Sequence, residues 1–429
     1  LCKVGMTITE KILAKASGKR TVSPGDVVFA NIDKVMMHDV GGPGVWAVFQ
    51  ELKPIIGEIE KIWDPDKVWL TEDHFVPPID KQSAENIKTL EDFAKRYGIR
   101  KYFRYGLGQY GVCHTLSYEE ALVLPGEVYV GTDSHTNTAG VVGAFAAGLG
   151  HTDIAYVLVH GKTWFRVPET LLFRISGELQ PYSTAKDLSL AILHEIGTDG
   201  ANYKAMQFSG SAIKAMDIDE RATLTNMSTE AGAKNAIIEP DERLLQYLRS
   251  RTDSPLTPVY GDEDAEFSEV YDMDARTIEP LVAKPYSPGN VSSARELSDV
   301  EVDRVYIGSC TGGKITDLRM AASVLKGRKV RVRTEIVPAT QRTYMQALKE
   351  GLIEIFLQSG ALIGAPTCGL CFGGHMGVLR KGEVCISTTN RNFPGRMGDR
   401  ESKTYLASPL TAAATAVTGR ITDPRDLSG

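Results

Sequence analysis

The feature that most restricts what this chain can fold into is a recurrent placement. Four polar stations each stand directly behind a segment that reads as a β-strand. Asp73-His74 follow residues 68–70, Asp133-Ser134-His135 follow 127–130, Cys310 follows 305–307, and Asn390-Arg391 follow 384–388. In open α/β sheets, ligands bind outside the carboxyl ends of the strands. Four such stations, far apart in the chain, predict a site shared between α/β units.

The intervening segments agree. Apolar spacing predicts helices over 7–17, 86–97 and 184–195, the last opened by a capping-box-like pair, Thr184 and Asp187. The loop Gly41-Gly42-Pro43-Gly44 follows His38-Asp39, and His114 stands on a turn before a helical 118–122. Residues 139–149, nearly all Gly, Ala and Val, suit a helix packed closely on a sheet, and 226–230 lie in a loop-to-helix region. After residue 303, strands at 305–307, 330–337 and 384–388 alternate with helices at 316–325 and 340–349, which predicts parallel sheets covered on both faces. An acidic run, 261–266, and a turn-rich stretch, 284–290, mark a boundary. Three α/β domains are expected: 1–168, 169–288 and 289–429.

At 429 residues the chain exceeds what one hydrophobic core organises. Its net charge of −6 lacks the basic footprint of a general nucleic-acid binder. No apolar run approaches the roughly 18 residues of a membrane span. The first residues lack a signal peptide's apolar core, and a cytoplasmic protein is expected.

Six cysteines are too few for a disulfide scaffold. Cys2, Cys113 and Cys385 sit in apolar or mixed surroundings and read as small buried hydrophobes. Cys368 and Cys371 have C-x-x-C spacing, which alone suits a structural zinc half-site or a redox pair. Cys310, on the Gly-rich turn 307–313, could add a third thiolate. A Cys3His zinc site completed by His375 competes with an iron–sulfur cubane held by three thiolates, whose open iron is a Lewis acid. Asp133-Ser134-His135 by itself is a helix-capping turn; hydrolase triads are assembled across a fold, not from neighbours. Asp73 beside His74 can raise the imidazole's basicity and fix its tautomer. Arg391 and Arg396 lie in a stretch with Phe393, Pro394 and Gly395, a rigid setting for forked cations that grip carboxylates.

Taken in order, His38-Asp39, Asp73-His74, His114, Gly131 to Thr136, Asn226 to Glu230, Gly308-Ser309-Cys310-Thr311, Cys368-Gly369-Leu370-Cys371 and Asn390 to Arg396 resemble the stations of the aconitase superfamily of iron–sulfur hydro-lyases, most closely its split-subunit branch. The match runs over essentially the whole chain. The resemblance implies a central iron–sulfur cleft in which Cys310, Cys368 and Cys371 ligate a [4Fe–4S] cluster with one open iron. It implies that His74, paired with Asp73, protonates a departing hydroxyl, while Asp133, His135, His114 and Glu230 complete the catalytic set. His38, Ser134, Asn226, Asn390, Arg391 and Arg396 would contact a small hydroxy-dicarboxylate. Within the branch, 2-isopropylmalate is the expected substrate; homoaconitase chemistry and 2,3-dimethylmalate, citraconate or maleate (de)hydration are alternatives. A non-catalytic zinc- or RNA-binding role is the reading from another class.

Two departures stand out. Gly312 occupies the place where the family usually has Asn, and His38 that of a Gln in aconitases proper. The swivelling fourth domain, which carries the serine base in one-chain members, has no match here. The resemblance therefore implies a separate small subunit that supplies it.

Overall fold

The computed structural model describes residues 5–427; Cys2 lies outside them. Strand Val68–Thr71 is buried along its whole length, as expected of a parallel strand covered on both faces. It belongs to a five-stranded, all-parallel sheet in the order Lys101–Phe103, Val68–Thr71, Lys34–His38, Val128–Gly131, Phe145–Gly148. Chain order reverses between Lys34–His38 and Val128–Gly131. The topological switch point therefore lies where His38 ends one strand and Gly131, followed by Thr132 and Asp133, ends the other.

A second sheet, again all parallel, runs Asn235–Ile238, Ala205–Ser209, Thr170–Ser176, Glu269–Asp274. The third has seven strands: Val291–Ser293, Leu281–Ala283, Lys403–Ala407, Val384–Ser387, Arg304–Ile307, Arg333–Ile336 and Leu362–Ile363. Its last five strands are parallel to one another, and Leu281–Ala283 pairs antiparallel with both neighbours. Order reverses between Arg304–Ile307 and Val384–Ser387, the strands that precede Cys310 and Asn390. An antiparallel ribbon of Val27–Asn31 and Lys162–Arg166 completes the set. The α/β architecture with mostly parallel sheets is the one the strand–helix alternation predicts.

Local chemistry accounts for the helices. Asp80 accepts from the Ser83 amide to open Lys81–Tyr97, and Gly98 ends it in the left-handed region. Thr184 and Asp187 form the expected capping box of Ala185–Ile196.

Several expectations are corrected. Gly41 to Gly44 is not a loop but the first turn of helix Gly41–Ile56. Proline is tolerated in a first turn, where no donor is needed. Side chains at 41, 42 and 44 would collide with Thr132, Leu90 and His151. Residues 139–149 do not form one helix: a 3-10 segment, Ser134–Val142, is followed by strand Phe145–Gly148. His114 lies in the first turn of helix Cys113–Glu119 rather than before a helix. Asn226 closes helix Ile218–Met227, and Glu230 lies in the 3-10 turn Ser228–Ala231. Strand Leu281–Ala283, upstream of the boundary expected at 288, joins the third sheet. Cys113 and Cys385 are buried, as expected. No helix among the described residues is long and apolar enough to cross a membrane.

Candidate active site

The strand ends of the first sheet build an acid–base cluster. Asp39 accepts from three successive amides, those of Asp73 and His74 at 2.9 Å each and that of Phe75 at 2.7 Å. This fixes the turn that presents Asp73 and His74. Asp73 Oδ2 accepts from the Cys113 amide, and Oδ1 lies 2.7 Å from His74 Nδ1. With Nδ1 donating to Asp73, His74 turns Nε2 toward Asp133 Oδ2, 3.5 Å away. Burial pulls the His74 pKa down, but Asp73 and Asp133 outweigh it and hold the imidazole well above its ordinary value.

Asp133 is the hub. Its Oδ1 accepts from the His135 amide at 2.8 Å, so it caps the following turn as the capping reading requires. The same oxygen lies 2.9 Å from His114 Nε2 and 3.5 Å from His135 Nδ1. Burial raises the Asp133 carboxyl, yet His114, His135 and His74 together hold it well below the usual range. His38 stacks on His74 with ring centroids 4.0 Å apart, and its Nδ1 accepts from the Val40 and Gly41 amides. Burial, then His74, drive its pKa down to about 3, which leaves it neutral. Ser134 is exposed, with its hydroxyl 3.3 Å from His135 Nδ1.

Glu230 carries the cluster across to the other units. It lies 2.6 Å from His135 Nε2 and accepts from Arg391 Nε. Burial raises its carboxyl, but His135 and Arg391 bring it below its ordinary value.

The third sheet supplies sulfur. The Ser309 hydroxyl lies 3.6 Å from Cys310 Sγ and 3.5 Å from Cys371 Sγ. Asn226 donates to Cys310 Sγ at 3.2 Å, and Asn390 joins Asn226 at 3.1 Å while accepting from the Cys371 thiol. The Cys368 amide donates to the Asp73 carbonyl at 2.6 Å. All three cysteines are buried in one cluster with Val112. Arg396 lies against Cys371, and its Nε has no partner among the described residues. Burial pushes the Cys310 thiol up to about 12, so any metal ligated there would displace the proton.

Among the described residues, two further groups bring His and Asp ligand atoms together: His38–Asp39–Asp73–His74 and His114–Asp133–His135. His375, the other zinc ligand considered, donates Nε2 to the Pro77 carbonyl at 2.9 Å. In the first His/Asp group the lone pairs of His38 Nδ1 and Asp39 are spent on backbone amides. The Ser309 hydroxyl and the Asn226 amide set against the sulfurs suit thiolates that ligate a metal centre.

Contacts join His38, Asp73, His74, His114, Asp133, Ser134, His135, Glu230 and Arg391 into one group, and Asn226, Asn390 and Arg396 lie with the cysteines. Asp39 and Ser309, which the sequence reading left without a role, bond to the Asp73–His74 turn and to the sulfurs. The signal for Asp39 was a carboxylate placed at the end of an apolar strand.

The comparisons with known proteins give the class, an enzyme of the hydro-lyase kind. The chain belongs to the aconitase family: the profile described as "Aconitase family (aconitate hydratase)" matches residues 10–298 and 290–419. It is 47% identical over 427 residues to the 3-isopropylmalate dehydratase large subunit of Hydrogenobaculum sp., covering 99% of each chain. The large subunit 1 of the same name from Pyrococcus abyssi is 48% identical over 429 residues, covering 99% of this chain and 100% of that one. Among solved structures, aconitase X of Thermococcus kodakaraensis aligns over 84% of each chain with a TM-score of 0.49 and 13% identity.

Proposed function

We propose that this chain is the cluster-bearing large subunit of a hydro-lyase that interconverts 2-isopropylmalate and 3-isopropylmalate in leucine biosynthesis, working in the cytoplasm. The full-length likeness to relatives carrying the name 3-isopropylmalate dehydratase large subunit supports the substrate. One observation carries the chemistry: the Cys368 amide is bonded to the carbonyl of Asp73, which brings sulfur and proton donor into one cleft.

Cys310, Cys368 and Cys371 would hold a [4Fe–4S] cluster, which when bound supplies a Lewis-acidic iron for a hydroxyl and a carboxylate. His74, protonated at neutral pH, donates from Nε2 to the departing hydroxyl. Asp133 holds His114 and His135 in place around the released water. Arg391 spends Nε on Glu230, and its terminal nitrogens remain for a substrate carboxylate; Arg396 offers a second cation. Ser134, His38, Asn226 and Asn390 line the same cleft. The base that removes the C–H proton is supplied by a separate small subunit bearing the swivelling domain and its serine. The relatives' designation as large subunits supports such a partner.

The test is co-expression with the small subunit, anaerobic reconstitution and an ultraviolet assay for the unsaturated intermediate across 2-isopropylmalate, homocitrate, 2,3-dimethylmalate, citraconate and maleate. Broad absorbance near ~400 nm and turnover of 2-isopropylmalate above the others are expected. A Cys368→Ser protein that keeps a full cluster and turns over overturns the ligand assignment.

A further inference from the structure

Lys186 lies in the first turn of helix Ala185–Ile196, where the helix dipole disfavours a cation, and it is buried. Its Nζ meets three oxygens: the Thr389 carbonyl at 2.7 Å, the Thr388 carbonyl at 2.8 Å and Thr311 Oγ1 at 3.2 Å. Thr311 Oγ1 gives its own proton to the Thr388 carbonyl at 2.8 Å, so toward Lys186 it can only accept. Three acceptors and no donor require all three protons of an ammonium. Burial, then Lys314, lower the lysine's pKa to about 7, while Asp317, Cys310 and Cys371 raise it; the three acceptors favour the protonated form. The neighbouring Lys314 is paired with Asp317 at 2.7 Å. Lys186 has no carboxylate within ion-pair distance among the described residues. A buried cation without a counter-ion is strongly destabilising unless an anion compensates it.

The acceptors identify what the lysine joins. Thr311 follows Cys310 directly, and Thr388 and Thr389 immediately precede Asn390 and Arg391. We propose that Lys186 is a positioning residue for the metal site: its ammonium ties the Cys310 turn to the Asn390–Arg391 turn and supplies the fixed positive charge that balances an anionic thiolate cluster. The inference rests on the cluster reading given above. A fixed cation beside a redox centre stabilises the more negative, reduced state, so Lys186 sets the cluster's potential as well as its geometry.

The test uses the anaerobically reconstituted protein as wild type, Lys186→Met, Lys186→Gln and Lys186→Arg. The midpoint potential is read by spectroscopic titration, with thermal unfolding measured alongside. Lys186→Met and Lys186→Gln should shift the potential to more negative values by at least tenfold in the oxidised-to-reduced ratio, about 59 mV for a one-electron couple. Lys186→Arg, which keeps the charge, should stay within that shift. Failure of the two neutral variants to take up cluster while Lys186→Arg loads also supports the proposal. It is overturned by a loaded neutral variant of unmoved potential, by Lys186→Arg shifting as far as Lys186→Met, or by equal loss of uptake in all three. A wild-type protein that takes up no cluster brings down the cluster reading itself, and this inference with it.

Discussion

Arg391 Nε lies 2.8 Å from one carboxylate oxygen of Glu230 and 3.0 Å from the other, although 161 residues separate the two in the chain. Glu230 faces His135 on its other side. The loop that follows strand Val384–Ser387 is therefore oriented by a carboxylate that also belongs to the His/Asp cluster.

Arg391→Lys keeps the charge and loses the fork. Hydrogen bonds to charged groups contribute about 1.5–3 kcal/mol, so KM for the hydroxy acid should rise at least tenfold. Steady-state kinetics of the reconstituted complex measure it. An unchanged KM removes Arg391 from the substrate contacts.

Burial lowers the proton affinity of His74, and Asp73→Asn takes away the charge that most strongly opposes this. A proton donor works while protonated, so activity falls as pH rises through its pKa. With that pKa lowered, the alkaline limb of the pH–rate profile should move toward lower pH. General acids contribute ~10²–10⁴-fold, and kcat at neutral pH should drop within that range. A limb that stays put would assign the proton to another group.

Ser309 has φ of +74°, in the left-handed region that costs a non-glycine residue about 1–2 kcal/mol. Its hydroxyl sits between two sulfurs, which accounts for keeping serine there. Ser309→Gly and Ser309→Ala should both lose cluster faster to a chelator. Only the glycine variant relieves the backbone, so its apoprotein should melt higher than that of the alanine variant. Equal melting temperatures would show that the strain is not felt.

Gly312 stands where the resemblance led us to expect Asn, and packing explains it. A Cβ there would overlap the Thr388 hydroxyl and crowd the Gly308 carbonyl. Thr388 Oγ1 in turn accepts from the Gly308 amide and donates to its carbonyl, both at 2.9 Å. Gly312→Ala should destabilise the protein by about 1–3 kcal/mol, the usual range for overpacking. Adding Thr388→Gly, which removes both the hydroxyl and the Cβ that the new methyl meets, should recover part of the loss in a double-mutant cycle. Additive losses would mean the two residues do not compete for space.

The strand ends were legible because β-branched apolar runs followed at once by Asp, His, Cys or Asn leave few other foldings. Residues 139–149 were not, since small residues serve close packing in helix and strand alike and carry no period. Gly140 abuts the Ala236 carbonyl and Gly148 that of Asp133. Gly41 to Gly44 misled for the same reason: those glycines make room for neighbours rather than for a turn. Lys186 left a faint mark, a cation in a helix's first turn, but its acceptors lie more than a hundred residues away and no local pattern announces them.

The link between the Cys368 amide and the Asp73 carbonyl makes the Cys368 loop and the Asp73–His74 turn a single mechanical part. Oxidative damage that unseats the loop would therefore blunt the acid as well. On the mechanism proposed above, a molecule that lost its metal would then be silent rather than half-active, and reseating the loop would be a precondition for repair.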